Sequence, residues 1–169
     1  RGKLCVRPVR ESLLKFEHLI EVNDLANPLQ FRLTRDALWF GLLYRAEDAR
    51  PFLPGLDACV ILQRTDTVLT RELRFGSAVI HDEVTLCPQS WIRFESRATE
   101  QHAGGRLTIS IEEPQVDALF LRFSYVTTLP EGAGSEDGQY ADFVRSAYHA
   151  SDLDTVQVIR RLAENGRPH

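Results

Sequence analysis

Apolar and polar residues alternate along much of this chain, and the alternation predicts β-strands. Residues 15–23, KFEHLIEVN, place Phe16, His18, Ile20 and Val22 on one side and mostly charged residues on the other. This is the pattern of a strand that buries one face. Because the later connections are short, and parallel strands need long crossovers, an antiparallel meander is predicted. Its six strands are expected at 58–64, 67–75, 78–86, 90–98, 105–112 and 118–128.

One helix is predicted directly after the first strand. Thr34 is a suitable N-cap for the segment TRDALWFGLLYRAED, whose apolar residues form a wide face. The prolines and glycine of RPFLPGL, at 51, 54 and 55, prevent a long continuation. They leave room for a second short helix or a turn.

A longer helix is predicted near the C-terminus. Apolar residues recur there at i, i+3, i+4, i+7 and i+8, the spacing of one helix face. Within this segment, Ser151, Asp152 and Asp154 resemble the start of a new helix, so a kink is predicted at that point. The residues of the apolar face are Tyr140, Phe143, Val144, Ala147 and Tyr148.

The order of the elements is a strand, two short helices, six strands and a long helix. It predicts an α+β fold in which a seven-stranded antiparallel curved sheet wraps around the long C-terminal helix. An antiparallel sheet with one apolar face needs such a cover. Residues 14–169 are predicted to form one domain of this kind, and residues 1–13 are interpreted as a leader or a cloning remnant.

Several stretches of the chain resemble one known family. The strings FEHLIEVND, PFLPGLDACVIL, RELRFG, HAGGRLTISIEEP and SAYHASDLDTVQVIR are similar to the AtaL-like family of the SRPBCC superfamily, whose members are START- and Bet v 1-like. These strings lie between residues 15 and about 165. The resemblance implies the helix-grip fold and an apolar cavity between sheet and helix. It brings no catalytic motif with it.

Residues 71–86, RELRFGSAVIHDEVTL, form a predicted hairpin in which one charge interrupts the apolar face of each strand. A two-residue turn at 76–77 brings Arg71 directly opposite Asp82 on that face. An adjacent arginine favours the charged form of a carboxyl group, so Asp82 is expected to accept hydrogen bonds at neutral pH rather than to donate a proton. The pair either orders the hairpin at the sheet rim or orients the oxygen groups of a ligand in a cavity.

Other candidate site residues come from the same inner face and from the long helix. His18 is either a core histidine with a hydrogen-bond partner or, in an enzyme, a general base, because imidazole titrates near neutral pH. Five aromatic residues are predicted to fill the core or to line the cavity: Phe94, Tyr125, Tyr140, Phe143 and Tyr148.

Composition excludes several classes of partner. The net charge is -4 with no basic stripe, so no nucleic-acid partner is predicted, and no run approaches the roughly 20 apolar residues of a membrane span. Three widely spaced cysteines form neither a disulfide framework nor a zinc motif, which favours the reducing cytoplasm. The run GAGSEDG lacks the spacing of a dinucleotide loop, and its acids would repel phosphate. No metal or cofactor is predicted.

Three functions follow from these observations. The first is binding of a small hydrophobic or amphipathic molecule in an internal cavity. The second, which the superfamily resemblance suggests, is an enzyme of the polyketide cyclase, aromatase or dehydratase type, with His18 as base and Arg71 as electrophilic anchor. The third is a co-chaperone-like interaction module, which requires an exposed apolar patch that the polar outer strand faces do not offer. The sequence leaves the ligand and the oligomeric state open.

Overall fold

A seven-stranded antiparallel sheet forms the main layer of the protein, with two helices on its inner face. The computed structural model describes residues 13–98, 104–128 and 137–166. The elements in this part of the chain are, in order, β1 (Leu13–Glu21), α1 (Arg35–Glu47), β2 (Ala58–Arg64), β3 (Val68–Phe75), β4 (Ala78–Cys87), β5 (Trp91–Ser96), β6 (Gly105–Glu112), β7 (Phe120–Thr128) and α2 (Asp137–Glu164). The predicted α+β class and its long C-terminal helix are confirmed.

The strand order of the sheet is β1-β7-β6-β5-β4-β3-β2. Strands β2 to β7 therefore form the predicted meander, in which each strand pairs with its neighbour in the chain. Strand β1 instead pairs with β7, so that His18 lies opposite Phe123 and Phe16 lies opposite Tyr125. This pairing places the first strand of the chain beside the last.

The β3–β4 hairpin has the predicted register. Phe75 pairs with Ala78 across the turn, and Arg71 pairs with Asp82. Gly76 has a φ of 58°, in the left-handed region that two-residue hairpin turns require and that glycine adopts at little cost. The turn therefore fixes which residues of these two strands face the interior.

Helix α1 begins at the predicted position, and no second helix follows it. The Thr34 side chain accepts a hydrogen bond from the Ala37 amide at 3.0 Å, which satisfies one of the free amides of the first turn. After the helix ends at Glu47, residues 50–55 form turns and not a second helix. Two prolines within five residues leave too few amide donors for a stable helical turn there.

Helix α2 runs without a break from Asp137 to Glu164, so no separate helix starts at Ser151. The Asp152 carboxylate is bonded to side chains of the sheet and does not cap the helix backbone. Without a capping side chain that competes for backbone amides, nothing at this point interrupts the helix.

The apolar core lies between the sheet, α1 and the C-terminal half of α2. The two helices approach closely at Gly41, where a β-carbon would lie 2.5 Å from Cγ2 of Ile159. Around this crossing the packing is dense, and the buried core residues include Leu38, Leu42, Ile92, Ile109, Leu121, Phe123, Val156 and Ile159. The core therefore fills one end of the space under the helices.

Candidate functional site

Buried ionisable side chains form a row across the inner face of the sheet, next to the apolar core. Most are less than one tenth exposed, which is unusual for charged residues and requires that each be paired or functional. In sheet order, with the two helix residues between, they are His18 on β1, Tyr125 on β7, Asp152 on α2, Arg45 on α1, Asp82 on β4 and Arg71 on β3.

Asp152 joins the first two members of this row. Its Oδ2 lies 2.7 Å from Nδ1 of His18, and its Oδ1 accepts a hydrogen bond from the hydroxyl of Tyr125. Because β1 and β7 are neighbours in the sheet, a single carboxylate descending from α2 reaches both side chains. The carboxylate is 1% exposed, so both bonds form away from bulk water.

The electrostatics of this trio define the role of each group. Burial raises the pKa of Asp152, while the hydrogen bonds from Tyr125 and His18 act in the opposite direction. Burial and the Asp152 carboxylate also raise the pKa of Tyr125, whose hydroxyl therefore keeps its proton and donates it to the hydrogen bond. With Asp152 ionised, Nδ1 of His18 carries the proton toward the carboxylate. Its Nε2, which has no hydrogen-bond partner in the described part of the chain, is then a base.

Arg45 projects from the last turn of α1 into the interior. Its guanidinium carbon lies 4.6 Å from the centre of the Phe94 ring, and the residue is 7% exposed. Burial lowers the pKa of Arg45 to about 10, so the group stays charged at neutral pH. Among the described residues no carboxylate lies within 4.0 Å of it, and its Nε is buried without a hydrogen-bond partner. Arg45 is therefore a buried cation that lacks an ion-pair partner there.

Arg71 has a different environment, because the protein itself uses its donors. Nε and Nη2 donate to the two oxygens of Asp82 at 2.9 and 2.6 Å, and Nη1 donates to the main-chain oxygens of Arg45 and Ala46. The pair is buried, with side chains 2% and 6% exposed, and is thus not a pair at an exposed rim. It connects the sheet to the end of α1, and the Arg71 donors are not free to orient a ligand.

Arg71 and His18 also lie far apart in the sheet, with β7, β6, β5 and β4 between their strands. The combination of His18 as base and Arg71 as anchor for one bound molecule stays a prediction. Arg45 is a cation whose charge acts on the His18–Asp152 couple, since it lowers the pKa of Asp152 against the effect of burial. Its place in the row between Asp152 and Asp82 makes it a further candidate for an anchor.

A cleft of about 140 Å³ opens beside the row, between the sheet and the N-terminal half of α2. The Tyr148 ring closes one side, where it stacks on Tyr125 with centroids 4.5 Å apart, and Tyr125 in turn stacks on Phe16 at 4.9 Å. Tyr148 is 39% exposed, so the cleft borders solvent on this side. The lining residues include Asp82, Phe94, Leu107, Tyr125, Thr127 and Tyr148.

The structure brings four predicted residues, Asp82, Phe94, Tyr125 and Tyr148, to this cleft. It connects His18 to Tyr125 through the carboxylate of Asp152. Phe143 does not join them: it is 71% exposed, because the helix stripe that faces the sheet passes through Tyr148, Asp152 and Val156 instead. The side chain of Tyr140, also a predicted wall residue, lies outside the described residues.

Two residues of the row, Asp152 and Arg45, were not among the site residues predicted from the sequence. Asp152 lies four positions after Tyr148 and four before Val156, so a carboxyl group in the middle of the apolar stripe was a detectable signal. Arg45 gave a weaker one, since arginine in the last turn of a helix is ordinary. Only the packing of α1 on the sheet shows that it is buried.

Comparisons with known proteins agree with this architecture. The sequence model of one family, acetylaranotin biosynthesis cluster protein L (AtaL), matches residues 20–166. A search of curated protein sequences gives no match. None of the helices in the described ranges is long and apolar enough to cross a membrane.

Solved structures with the same fold share little sequence with this chain. They include the aromatase/cyclase StfQ of the steffimycin pathway (TM-score 0.68, 12% identity, covering 91% of this chain). This chain spans about half of that two-domain protein, 51%. They also include the Zhui aromatase/cyclase from Streptomyces sp. R1128 (TM-score 0.63, 15% identity, covering 90% of this chain and 94% of that one). A third is norcoclaurine synthase from Thalictrum flavum, in complex with a transition-state analogue (TM-score 0.60, 11% identity, covering 92% of this chain and 99% of that one). They identify the fold as helix-grip.

Proposed function

The chain belongs to the AtaL family, and on that premise we propose that it binds a small amphipathic molecule in the cleft between the sheet and α2. One observation carries the proposal: aromatic side chains wall the cleft, and one of them, Tyr125, is hydrogen-bonded to the buried carboxylate of Asp152. Ligand sites of proteins are mostly apolar with a few convergent polar groups, and this cleft has that composition.

The size of the cleft determines how a ligand enters. Its 140 Å³ is below the roughly 300–1,000 Å³ of most small-molecule sites. Among the aromatic wall residues, Tyr148 on α2 is exposed, whereas Phe94 and Tyr125 are buried and lie on strands. A ligand therefore takes the place of Tyr148 against the Tyr125 ring, and Tyr148 moves outward as it enters.

The proposal is tested with purified protein by thermal shift and native mass spectrometry against a panel of lipophilic carbonyl compounds. We expect a 1:1 adduct and a higher Tm with at least one compound. Thr127→Trp, which fills the cleft, abolishes both effects, whereas Ser124→Trp on the outer face of the same strand preserves them. Binding that survives Thr127→Trp undiminished, or no binding across the panel, contradicts the proposal.

A second candidate function is supported by the His18–Asp152 couple. A carboxylate that holds one imidazole nitrogen leaves the other as a base, the arrangement that general-base enzymes use. Proton abstraction next to a carbonyl is the step such a base performs in cyclisation and dehydration. The named activity of StfQ and Zhui, aromatase/cyclase, is of this kind. The similarity to these structures supports a shared fold, whereas the His18–Asp152 couple supports proton abstraction as the chemistry.

Deuterium exchange separates this enzyme from a simple binding protein. For a carbonyl compound that binds, we expect the protein to accelerate exchange of the acidic C–H, measured by NMR in D₂O. His18→Gln removes the acceleration but keeps the adduct, while His81→Gln, on the exposed outer face, changes neither. Exchange at the protein-free rate, or an unchanged rate with His18→Gln, rules out this second function.

A further inference from the structure

We propose that Arg45 binds the planar oxygen anion of the ligand, so that the cleft selects conjugated organic acids over their neutral analogues. This inference rests on the proposed function, since it concerns the occupant of the same cleft. It assigns a role to a side chain that neither the hydrogen-bonded trio nor the Arg71–Asp82 pair uses.

The neighbouring carboxylates take their hydrogen bonds from other donors, and among the described residues the Arg45 side chain donates none. Oδ1 and Oδ2 of Asp82 accept from Arg71, whereas the two oxygens of Asp152 are taken by Tyr125 and His18. Each carboxylate of the row thus has its donors already. Among the described residues, neither carboxylate lies within ion-pair distance of the Arg45 guanidinium, which receives their charge only at longer range.

A buried cation without a hydrogen-bond acceptor lowers the stability of the fold unless a ligand supplies one. The Nε atom of Arg45 is one of two buried polar side-chain atoms that have no hydrogen-bond partner in the described ranges. The other is Oγ1 of Thr155, which lies three residues after Asp152 on α2. Unsatisfied groups at this depth are rare in proteins and are concentrated at sites with a function.

The neighbours of Arg45 point to the chemical class of the anion. Its guanidinium lies over the ring of Phe94, which also lines the cleft, and the stacked rings of Tyr125 and Tyr148 form another wall. A planar guanidinium matches a carboxylate or an enolate, which offers two oxygens in one plane. Aromatic walls favour a flat conjugated body attached to that anion. The class is therefore an aromatic or conjugated carboxylic acid, or an acidic enol of comparable shape.

Calorimetric titration at pH 7 tests the charge preference directly in the wild-type protein. The probes are 2-naphthoic acid, its neutral amide 2-naphthamide, and a 2-acyl-1,3-cyclohexanedione, which is an enolate at this pH. We expect the anions to bind about tenfold or more tightly than the amide, the contribution of a charge-assisted hydrogen bond. The acid and the enolate serve as separate arms, and the tighter of the two identifies the preferred anion.

Variants then assign the preference to Arg45. In Arg45→Gln the acid is expected to bind no more tightly than the amide, while the affinity for the amide is unchanged. Arg45→Lys keeps the charge and is expected to retain part of the preference; it also serves if the glutamine variant fails to fold. Arg93→Gln is the matched control, because Arg93 also stacks on an aromatic ring, at 4.8 Å from Trp91, away from the cleft. It should leave the preference intact.

The outcomes separate this inference from the function on which it rests. Equal affinity for acid and amide, or a preference for the acid that persists in Arg45→Gln, overturns the role of Arg45 and leaves ligand binding standing. Failure of all three probes, while other lipophilic compounds bind, overturns the anion class in the same way. If no compound of either set binds, the proposed function fails, and this inference fails with it.

Discussion

Arg71 donates a hydrogen bond to the main-chain oxygen of Arg45 at 3.0 Å, so one buried arginine holds the end of the helix that carries the other. It reaches the oxygen of Ala46 as well, at 3.1 Å. The last carbonyls of a helix have no partner within the helix and lie at its negative end, which makes a cation a suitable cap. The Arg71–Asp82 pair thereby fixes where α1 presents Arg45.

Replacement of Arg71 by leucine is expected to be strongly destabilising. It leaves Asp82 as a buried unpaired charge and removes the donor from two helix carbonyls, so the free energy of unfolding should fall by about 3–5 kcal/mol. The double variant Arg71→Leu/Asp82→Leu should recover part of this loss, because only the carbonyls then lack a partner, at about 1–3 kcal/mol. Urea denaturation measures both values.

The control for this prediction is Arg74→Leu on the same strand. Arg74 pairs with Glu72 on the outer face and is 54% exposed, so its removal should change the free energy by less than about 0.5 kcal/mol. If Arg71→Leu proves as mild as Arg74→Leu, the pair does not anchor α1.

Asp152 is expected to make stability depend on pH. Its pKa is higher in the folded protein than the ordinary value of 3.8, so the folded state binds more protons than the unfolded state above about pH 4. The contribution of Asp152 is therefore complete below about pH 4 and is lost as the pH rises through the raised pKa. The stability of the wild type relative to Asp152→Asn should fall over this range, measured by urea denaturation at several pH values.

Asp154→Asn provides the comparison, because Asp154 is on the same helix but exposed to solvent. The free energy of unfolding of the Asp154→Asn variant should follow that of the wild type across the same pH range. Parallel curves for wild type and Asp152→Asn would contradict a raised pKa at position 152.

The hydroxyl of Tyr125 is expected to contribute to stability through its bond to the buried carboxylate. Tyr125→Phe should lower the free energy of unfolding by about 1.5–3 kcal/mol, the usual value for a hydrogen bond to a charged group. Tyr44→Phe is the matched change, since the hydroxyl of Tyr44 has no hydrogen-bond partner in the described part of the chain. Equal effects of the two substitutions would show that the bond to Asp152 is not significant.

Gly41→Ala should destabilise the protein although alanine is the better helix former. The added β-carbon would lie 2.5 Å from Ile159 Cγ2 and 3.0 Å from its Cβ, so the two helices must separate. Overpacking of this kind costs about 1–3 kcal/mol, against about 1 kcal/mol gained in helix propensity. In an Ile159→Ala background the same substitution should cease to be harmful. Thermal and urea denaturation of the four proteins in this cycle measure the coupling.

Local chemistry accounts for the parts of the fold that were predicted from sequence. The turn at Gly76 determines the register of its hairpin, and the alternation around His18 determines which face of β1 is inward, because both depend on residues close in the chain. The pairing of Arg71 with Asp82 follows from the same turn. No long-range information was needed for any of these features.

The site was predicted only in part because its contacts join distant segments. Asp152 and His18 are 134 positions apart, and Ser-x-x-Asp at 151–154 has the local form of a helix start. Arg71 was expected either at the sheet rim or near a ligand, because nothing in the hairpin indicates that α1 ends above it. Partners of this kind depend on how helices pack on the sheet, which periodicity does not specify.

The pairing of β1 with β7 also has a consequence for the order of folding. Strands β2 to β7 meet through short hairpins, whereas Leu13 and Thr128 must close a loop of more than one hundred residues. Closing a long loop costs more entropy and slows the contacts that depend on it. We expect the meander to form first and β1 to dock late. Since His18 arrives with β1, the acid–base couple is assembled among the last steps, and an unfinished chain does not carry it.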